Sequence, residues 1–225
     1  MKLRLTNIIK ETHDTKTFRF IPQEKFNFKP GQFIVFIMND KEGEFRRAFS
    51  IANSPDEKEF IEITVKKAPK GRASTIFFEK TKINGTFEAL GPYGLFTYNN
   101  EDIKHIIHIA AGSGIVPIRS IIKYIIKNKP EIKQTLIFSN KTPKDIIYKK
   151  EFDALNINKI YTLTRHEGEE WKGKTGRITK DLIKEHIGEN DLYFICGPPE
   201  FVNNMVLHLK NLGKNEKSIK TERYN

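Results

Sequence analysis

Cysteine is almost missing. Cys196 is the single one in 225 residues, which excludes an internal disulfide, a thiolate metal cluster and a four-cysteine iron–sulfur site. Histidine is sparse, and among the six only His105 and His108 lie close together. Their odd spacing in an expected strand sends the rings to opposite faces, so no metal site is expected. Long apolar runs are lacking too: each is interrupted by His, Ser, Arg or Lys, and the basic start "MKLRLTNIIKETHD" has no apolar stretch behind it. A soluble, cytoplasmic chain with no membrane insertion is the expectation. Acidic residues fall short of basic ones, 28 against 39, leaving a net charge of +11. The lysines are scattered and no nucleic-acid signature accompanies them, so the surplus is largely compositional. Where it selects a partner, that partner is expected to be an acidic protein.

What is present changes character near residue 100. Before it come short β-branched or aromatic segments punctuated by turns, "KTFRFI", "GQFIVFIM", "FRRAFSIAN", "EFIEITVK" and "GTFEALGPYG", which predict an antiparallel barrel. After it, strand and helix alternate: "KHIIHIA", "IVPIRSIIKYIIKN", "KQTLIFSN", "DIIYKKEFDAL", "KIYTLT", "TKDLIKEHI", "DLYFICG" and "PEFVNNMVLHLKNLG". Strict alternation predicts a parallel sheet covered by helices on both faces. The expected fold is therefore a two-domain β plus α/β chain. Residues 1–99 form the barrel and 103–225 the α/β domain, joined near Asn99 to Asp102.

"AAGSGIVP" follows the first strand of the second half. Gly112 and Gly114 remove side chains so that backbone amides can approach a pyrophosphate, and the helix start adds partial positive charge. The dinucleotide fingerprint G-x-G-x-x-G has Pro117 in its last slot here, within the first helical turn, where a missing amide hydrogen costs little. By itself the hexapeptide also fits a plain strand-to-helix turn. In the barrel, "RRAFSIANSP" places Arg47 and Phe49 on one face of a strand and Ser50 on the other side or at an edge. Arginine offers a fork for phosphate, an aromatic ring a stacking surface and a hydroxyl a hydrogen bond to a heterocycle. An ordinary amphipathic strand would look the same. Further on, Gly71-Arg72-Ala73-Ser74 opens a second helix with a glycine and a hydroxyl, suited to another phosphate group.

The order R-x-F-S, V-K followed by G-x-x-S, "GPYG", G-x-G-x-x-P and "CGPP" resembles the ferredoxin–NADP reductase superfamily, over nearly the whole chain from Thr6 to Tyr224. The resemblance implies FAD in the barrel and NADH or NADPH in the α/β domain. It places Arg47, Ala48, Phe49 and Ser50 against the flavin and its phosphates. Ile63, Val65 and Lys66 would line the FAD, and Gly71, Arg72, Ala73 and Ser74 would receive the pyrophosphate. Gly112, Ser113, Gly114 and Pro117 would meet the nicotinamide nucleotide, which comes and goes. Ser50 would hydrogen-bond near flavin N5, and Cys196, before Gly197, Pro198 and Pro199, would sit beside the nicotinamide as a thiol. In relatives a carboxylate near the C-terminus joins the serine and cysteine, the place of Glu222, and a terminal aromatic ring covers the flavin, the place of Tyr224. A frayed, solvated tail is the plain alternative for both. Trp171 reads as a loop anchor or partner contact.

Coenzyme choice is expected at the end of the second α/β strand, where Ser139, Asn140 and Lys141 supply one charge and two neutral groups. That leans to NADH without excluding NADPH. One cysteine leaves no iron–sulfur centre within these residues, so electrons are expected to pass to or from an external ferredoxin, flavodoxin or oxygenase component. A reductase of free flavins, or a non-catalytic flavin-binding or interaction subunit, is the alternative.

Overall fold

The structure is a computed structural model and describes residues 1–99, 101–166 and 171–224. The expected junction at residue 100, part of the loop before Trp171 and the residue beyond Tyr224 lie outside them.

Alternating apolar residues build the first sheet. Its strands are β1 (Lys2–Lys10), β2 (Thr15–Pro22), β3 (Phe33–Asp40), β4 (Gly43–Ser50), β5 (Ile61–Lys66) and β6 (Thr86–Tyr93), antiparallel in the order β4-β3-β6-β1-β2-β5. The inward positions Leu3, Leu5, Phe18, Phe20, Ile34 and Phe36 are fully buried. Phe77 sits edge-on to Phe36 and Phe49, with centroids at 5.4 and 5.3 Å, so tilted aromatics fill the centre. The outermost strands β4 and β5 meet through the bridge Ile51–Ile63, which curls the sheet into a barrel and leaves the outer edge of β4 open. Helix α1 (Arg72–Thr75) follows β5 and runs on into a π-helical turn, Ile76–Lys80.

The second sheet is parallel throughout. Strands β7 (His105–Ala111), β8 (Lys133–Asn140), β9 (Asn158–Leu163), β10 (Lys174–Thr175), β11 (Asp191–Gly197) and β12 (Ile219–Arg223) lie in the order β10-β9-β8-β7-β11-β12. Helices α2 (Ile115–Asn128), α3 (Lys149–Ala154), α4 (Lys180–Lys184) and α5 (Pro199–Asn211) cover it. The order reverses at β7, so a crevice opens between the carboxyl ends of β7 and β11, where ligands of such sheets bind.

Three elements depart from the expectation. "MKLRLTNIIK" is a full strand, although its charges mask the alternation of Leu3 and Leu5. The helix expected over "DIIYKKEFDAL" begins only at Lys149, because Thr142 and Asp145 cap a tight turn and Tyr148 takes a left-handed φ of 58°. The tail, for which no element was expected and a frayed end was the plain alternative, forms β12, in parallel register with β11.

The domains share apolar packing. Ala52, Phe96 and Tyr98 from the barrel's end are buried in one cluster with Ile115, Ile118, Ile122 and Phe194. Among the described residues, no helix is long and apolar enough to cross a membrane.

Candidate active site

Three chain segments converge at the seam between the sheets. Ser50 ends β4 and is 6% exposed, so its hydroxyl needs a partner inside the protein. That partner is the Tyr224 hydroxyl. Tyr224 is held in turn by its own N–H, which donates to the Gly197 carbonyl at 2.9 Å. The parallel register of β12 on β11 sets Glu222 opposite Cys196, and Tyr224 follows one residue beyond the strand's end. Lys220 anchors the strand by donating to the Thr97 carbonyl at 2.7 Å and pairing with Glu101.

Burial governs the chemistry of this group. It raises Glu222 to about 7, only partly offset by a hydrogen bond with Ser50, and Glu222 Oε2 has no partner among the described residues. Burial, with the Glu222 charge second, pushes the Cys196 thiol well above its ordinary value. Cys196 is therefore a thiol at neutral pH and fills space beside the crevice. The result is a largely buried group of one proton-holding carboxyl, one hydroxyl pair and one thiol at the seam.

Raising an acid's pKa on folding means that the unfolded chain ionises first. The stability linked to Glu222 is then complete below about 4.5 and is lost as pH rises toward about 7. At about 1.4 kcal/mol per pH unit this amounts to up to about 3 kcal/mol. Glu222→Gln is accordingly expected to flatten the decline in unfolding free energy between pH 5 and pH 8. Urea melts at the two values test this, and a variant with the same decline as the parent would contradict it.

Across the crevice, β7 runs into a 3₁₀ turn, Gly112–Gly114, and then into α2. Gly112 has φ of 52° with open space where a Cβ would point, so its backbone faces an unobstructed crevice. Gly114 is pressed against the opposite wall: a Cβ there would lie 2.2 Å from the Cys196 carbonyl oxygen. Ser113 is half-buried beside them. No side chain caps α2, and Pro117 is buried in its first turn, where no intrahelical acceptor awaits an N–H. The Ile115 amide is taken by carbonyls of the 3₁₀ turn, so the backbone at the start of that turn, around Gly112 and Ser113, is what suits an anionic nucleotide.

The ribose end shows the same fit. Ser139 and Asn140 end β8 and are buried, and both amide atoms of Asn140 lack partners among the described residues, as do Thr162 Oγ1 on β9 and His166 Nε2 beyond it. Buried unpaired polar atoms are costly unless a ligand satisfies them. Thr162 and His166 escaped the sequence reading, since nothing in either side chain marks it before β9 is laid beside β8. Trp171 anchors its loop, donating to the Lys174 carbonyl at 3.0 Å and lying 6.3 Å from the His166 ring.

On the barrel side, Arg47 and Ala48 lie exposed on edge strand β4, while Phe49 is half-buried and its ring packs into the aromatic core. Ile63 and Val65 likewise turn their side chains into the barrel. Lys66 Nζ lies 3.2 Å from Asp14. Gly71 precedes α1, and the amides of Arg72, Ala73 and Ser74 stand ahead of its first bond, Thr75 N–H to the Gly71 carbonyl. Ala73 is buried, and the Ser74 hydroxyl donates to the Gly71 carbonyl at 3.0 Å. The Arg72 guanidinium is forked onto Asp40 with two 2.6 Å hydrogen bonds, so its backbone rather than its charge is free to face a pyrophosphate. The open edge of β4 and these amides fit a flavin nucleotide. Pro198, exposed, lies between Gly197 and the start of α5, at the helix's N-cap.

Two family models match in tandem: an oxidoreductase FAD-binding domain over residues 2–98 and an oxidoreductase NAD-binding domain over residues 108–206. An NADH-cytochrome b5 reductase 1 of Mortierella alpina is 31% identical over 223 residues, covering 94% of this chain and 74% of the relative. The glycine betaine monooxygenase reductase subunit of Pseudomonas aeruginosa is 29% identical over 218 residues, covering 92% of this chain and 59% of that one. In fold, the chain is similar to a ferredoxin NADP+ reductase from Neisseria gonorrhoeae with bound FAD and NADP, at a TM-score of 0.84 and 22% identity, covering 99% and 98% of the two chains. The protein belongs to the ferredoxin–NADP reductase family. It is a FAD-dependent oxidoreductase that uses a nicotinamide nucleotide.

Proposed function

We propose that the protein takes hydride from NADH onto FAD and passes the electrons to a separate, acidic carrier protein. The observation that carries this reading is the convergence of Ser50, Cys196, Glu222 and Tyr224 on the crevice beside Gly112–Gly114, the place where two rings would meet. Bound there, FAD supplies a two-electron acceptor. The chain's own residues do the rest: the Ser50 hydroxyl orients the ring, Glu222 holds a proton near neutrality, and Cys196 packs beside the nicotinamide without ionising. The backbone around Gly112 and Ser113 holds the pyrophosphate, while the edge of β4 with Arg47 and the amides before Thr75 hold the flavin nucleotide.

An external acceptor is supported by the relatives' names, which specify a cytochrome b5 reductase and a monooxygenase reductase subunit. The net charge of +11 favours an acidic carrier through steering. One observation favours NADPH as a second substrate: the Arg165 N–H donates to the Lys141 carbonyl at 2.9 Å, so the ends of β8 and β9 bring two cationic residues side by side at the ribose end.

Anaerobic titration with NADH and with NADPH, followed by acceptors at low and high salt, tests the reading. Bleaching of the flavin by NADH, and carrier reduction that slows several-fold between about 0.05 and 0.5 M salt, are expected. Salt-insensitive carrier turnover with fast reduction of free flavins would instead make it a flavin reductase.

A further inference from the structure

Arg119 lies one turn into α2, is 7% exposed, and interrupts the helix's buried face. Its Nη1 donates to Glu62 Oε2 at 2.8 Å and to the Ala52 carbonyl at 3.1 Å, both in the barrel. Nε and Nη2 donate to Glu151 of α3 at 2.8 Å each, and the guanidinium lies 4.6 Å from the Tyr148 ring centroid. The next residue, Ser120, donates to the Asn53 carbonyl at 2.6 Å.

Both ends of this clamp lead straight to the reacting groups. On one side α2 starts at the Gly112–Gly114 turn. On the other, Ala52 and Asn53 follow Ser50, and Glu62 adjoins Ile63, which bridges Ile51. Adhesion between the domains does not require the charges, because Ala52, Phe96 and Tyr98 already bury apolar surface in the α/β core. The fork onto Glu151 fixes the guanidinium within the α/β domain, so that Nη1 reaches Glu62 and the Ala52 carbonyl with a direction and spacing that apolar packing lacks.

We propose that Arg119 is a positioning residue for hydride transfer: by pinning the N-terminal half of α2 to Glu62 and Ala52, it sets the separation between the nicotinamide and the flavin. The proposal rests on the functional reading above. Since about 1 Å of misplacement can cost on the order of a hundredfold in rate, loss of the clamp acts on the hydride step more than on binding.

The test uses the FAD-loaded full chain carrying Arg119→Met with Glu62→Gln, which removes both charges of the pair between the domains and leaves their other partners, Glu151 and Arg19, with side chains 31% and 37% exposed to water, and separately Arg119→Lys, whose ammonium lacks the fork. Spin labels at Glu88→Cys in β6 and Lys184→Cys in α4, both exposed, report the distance between domains. A narrow distribution in the parent and a broad one in the double variant are expected. In single-turnover reduction by saturating NADH, the rate should fall at least tenfold in the double variant and less in Arg119→Lys, with NADH affinity within threefold. Both variants folded and flavin-bound, with parental distances and rates within twofold, would overturn the proposal, and Arg119→Lys decides it if the double variant fails to fold. A parent that binds both nucleotides yet transfers no hydride would overturn the functional reading itself, whatever the distances show.

Discussion

Gly114→Ala is expected to reduce flavin reduction by NADH at least a hundredfold while FAD stays bound. The added Cβ would lie 2.2 Å from the Cys196 oxygen, 2.5 Å from its carbonyl carbon and 2.7 Å from the Gly197 nitrogen. All three are backbone atoms of β11, which is hydrogen-bonded on both sides, to β7 and to β12, and cannot swing aside as a flexible side chain can. Either the start of α2 or the end of β11 must shift by about an ångström, at a cost of about 1–3 kcal/mol or more. Such a shift moves the nucleotide's phosphate cradle and the wall beside its ring together, so the rate falls steeply. The barrel residues proposed to hold the flavin lie on β4 and around α1, which the clash does not touch. Stopped-flow reduction with flavin occupancy measured in parallel decides the matter. A rate within threefold of the parent would show that Gly114 does not hold the crevice in register.

Tyr224→Ser is expected to tighten binding of the oxidised nicotinamide nucleotide at least tenfold and to slow turnover through product release. The Tyr224 ring packs against the α/β core, with its hydroxyl on Ser50 and its N–H on Gly197. On the proposed reading, a nicotinamide that approaches the Ser50 hydroxyl has first to displace that ring, and the work of displacement is subtracted from its affinity. Removing the competitor returns it, and tenfold corresponds to about 1.4 kcal/mol. Anaerobic titration with NAD+ gives the affinity, and multiple-turnover assays give the release-limited rate. Unchanged affinity would mean that the ring stands clear of the nicotinamide's path.

Several features of the fold were legible because they are local. The alternation in "KQTLIFSN", the helical spacing of "IVPIRSIIKYIIKN" and the two glycines after "HIIHIAA" each lie within one element, and those elements form as read. The helix over residues 145–155 was misplaced, since apolar spacing alone does not reveal that Tyr148 turns left-handed to reach Thr64 across the seam. The charges of β1 hid a strand whose inner face is only Leu3 and Leu5 deep in the barrel. Arg119 carried a faint signal, a cation within an otherwise buried helical face, but its partner Glu62 is a barrel residue that no local pattern connects to it.

By itself, then, the sequence determined the kinds of element, their order in the chain and the residue types suited to phosphate and flavin, because periodicity and turn chemistry act over a few positions. Only the tertiary structure decided that the Ser50 hydroxyl meets the hydroxyl of Tyr224, 174 positions away. It likewise set Glu222 beside Cys196 and Arg119 between two domains. Those meetings follow from strand order, from the reversal of the sheet at β7 and from the burial of one domain's edge in the other's core, none of which is encoded within a single segment.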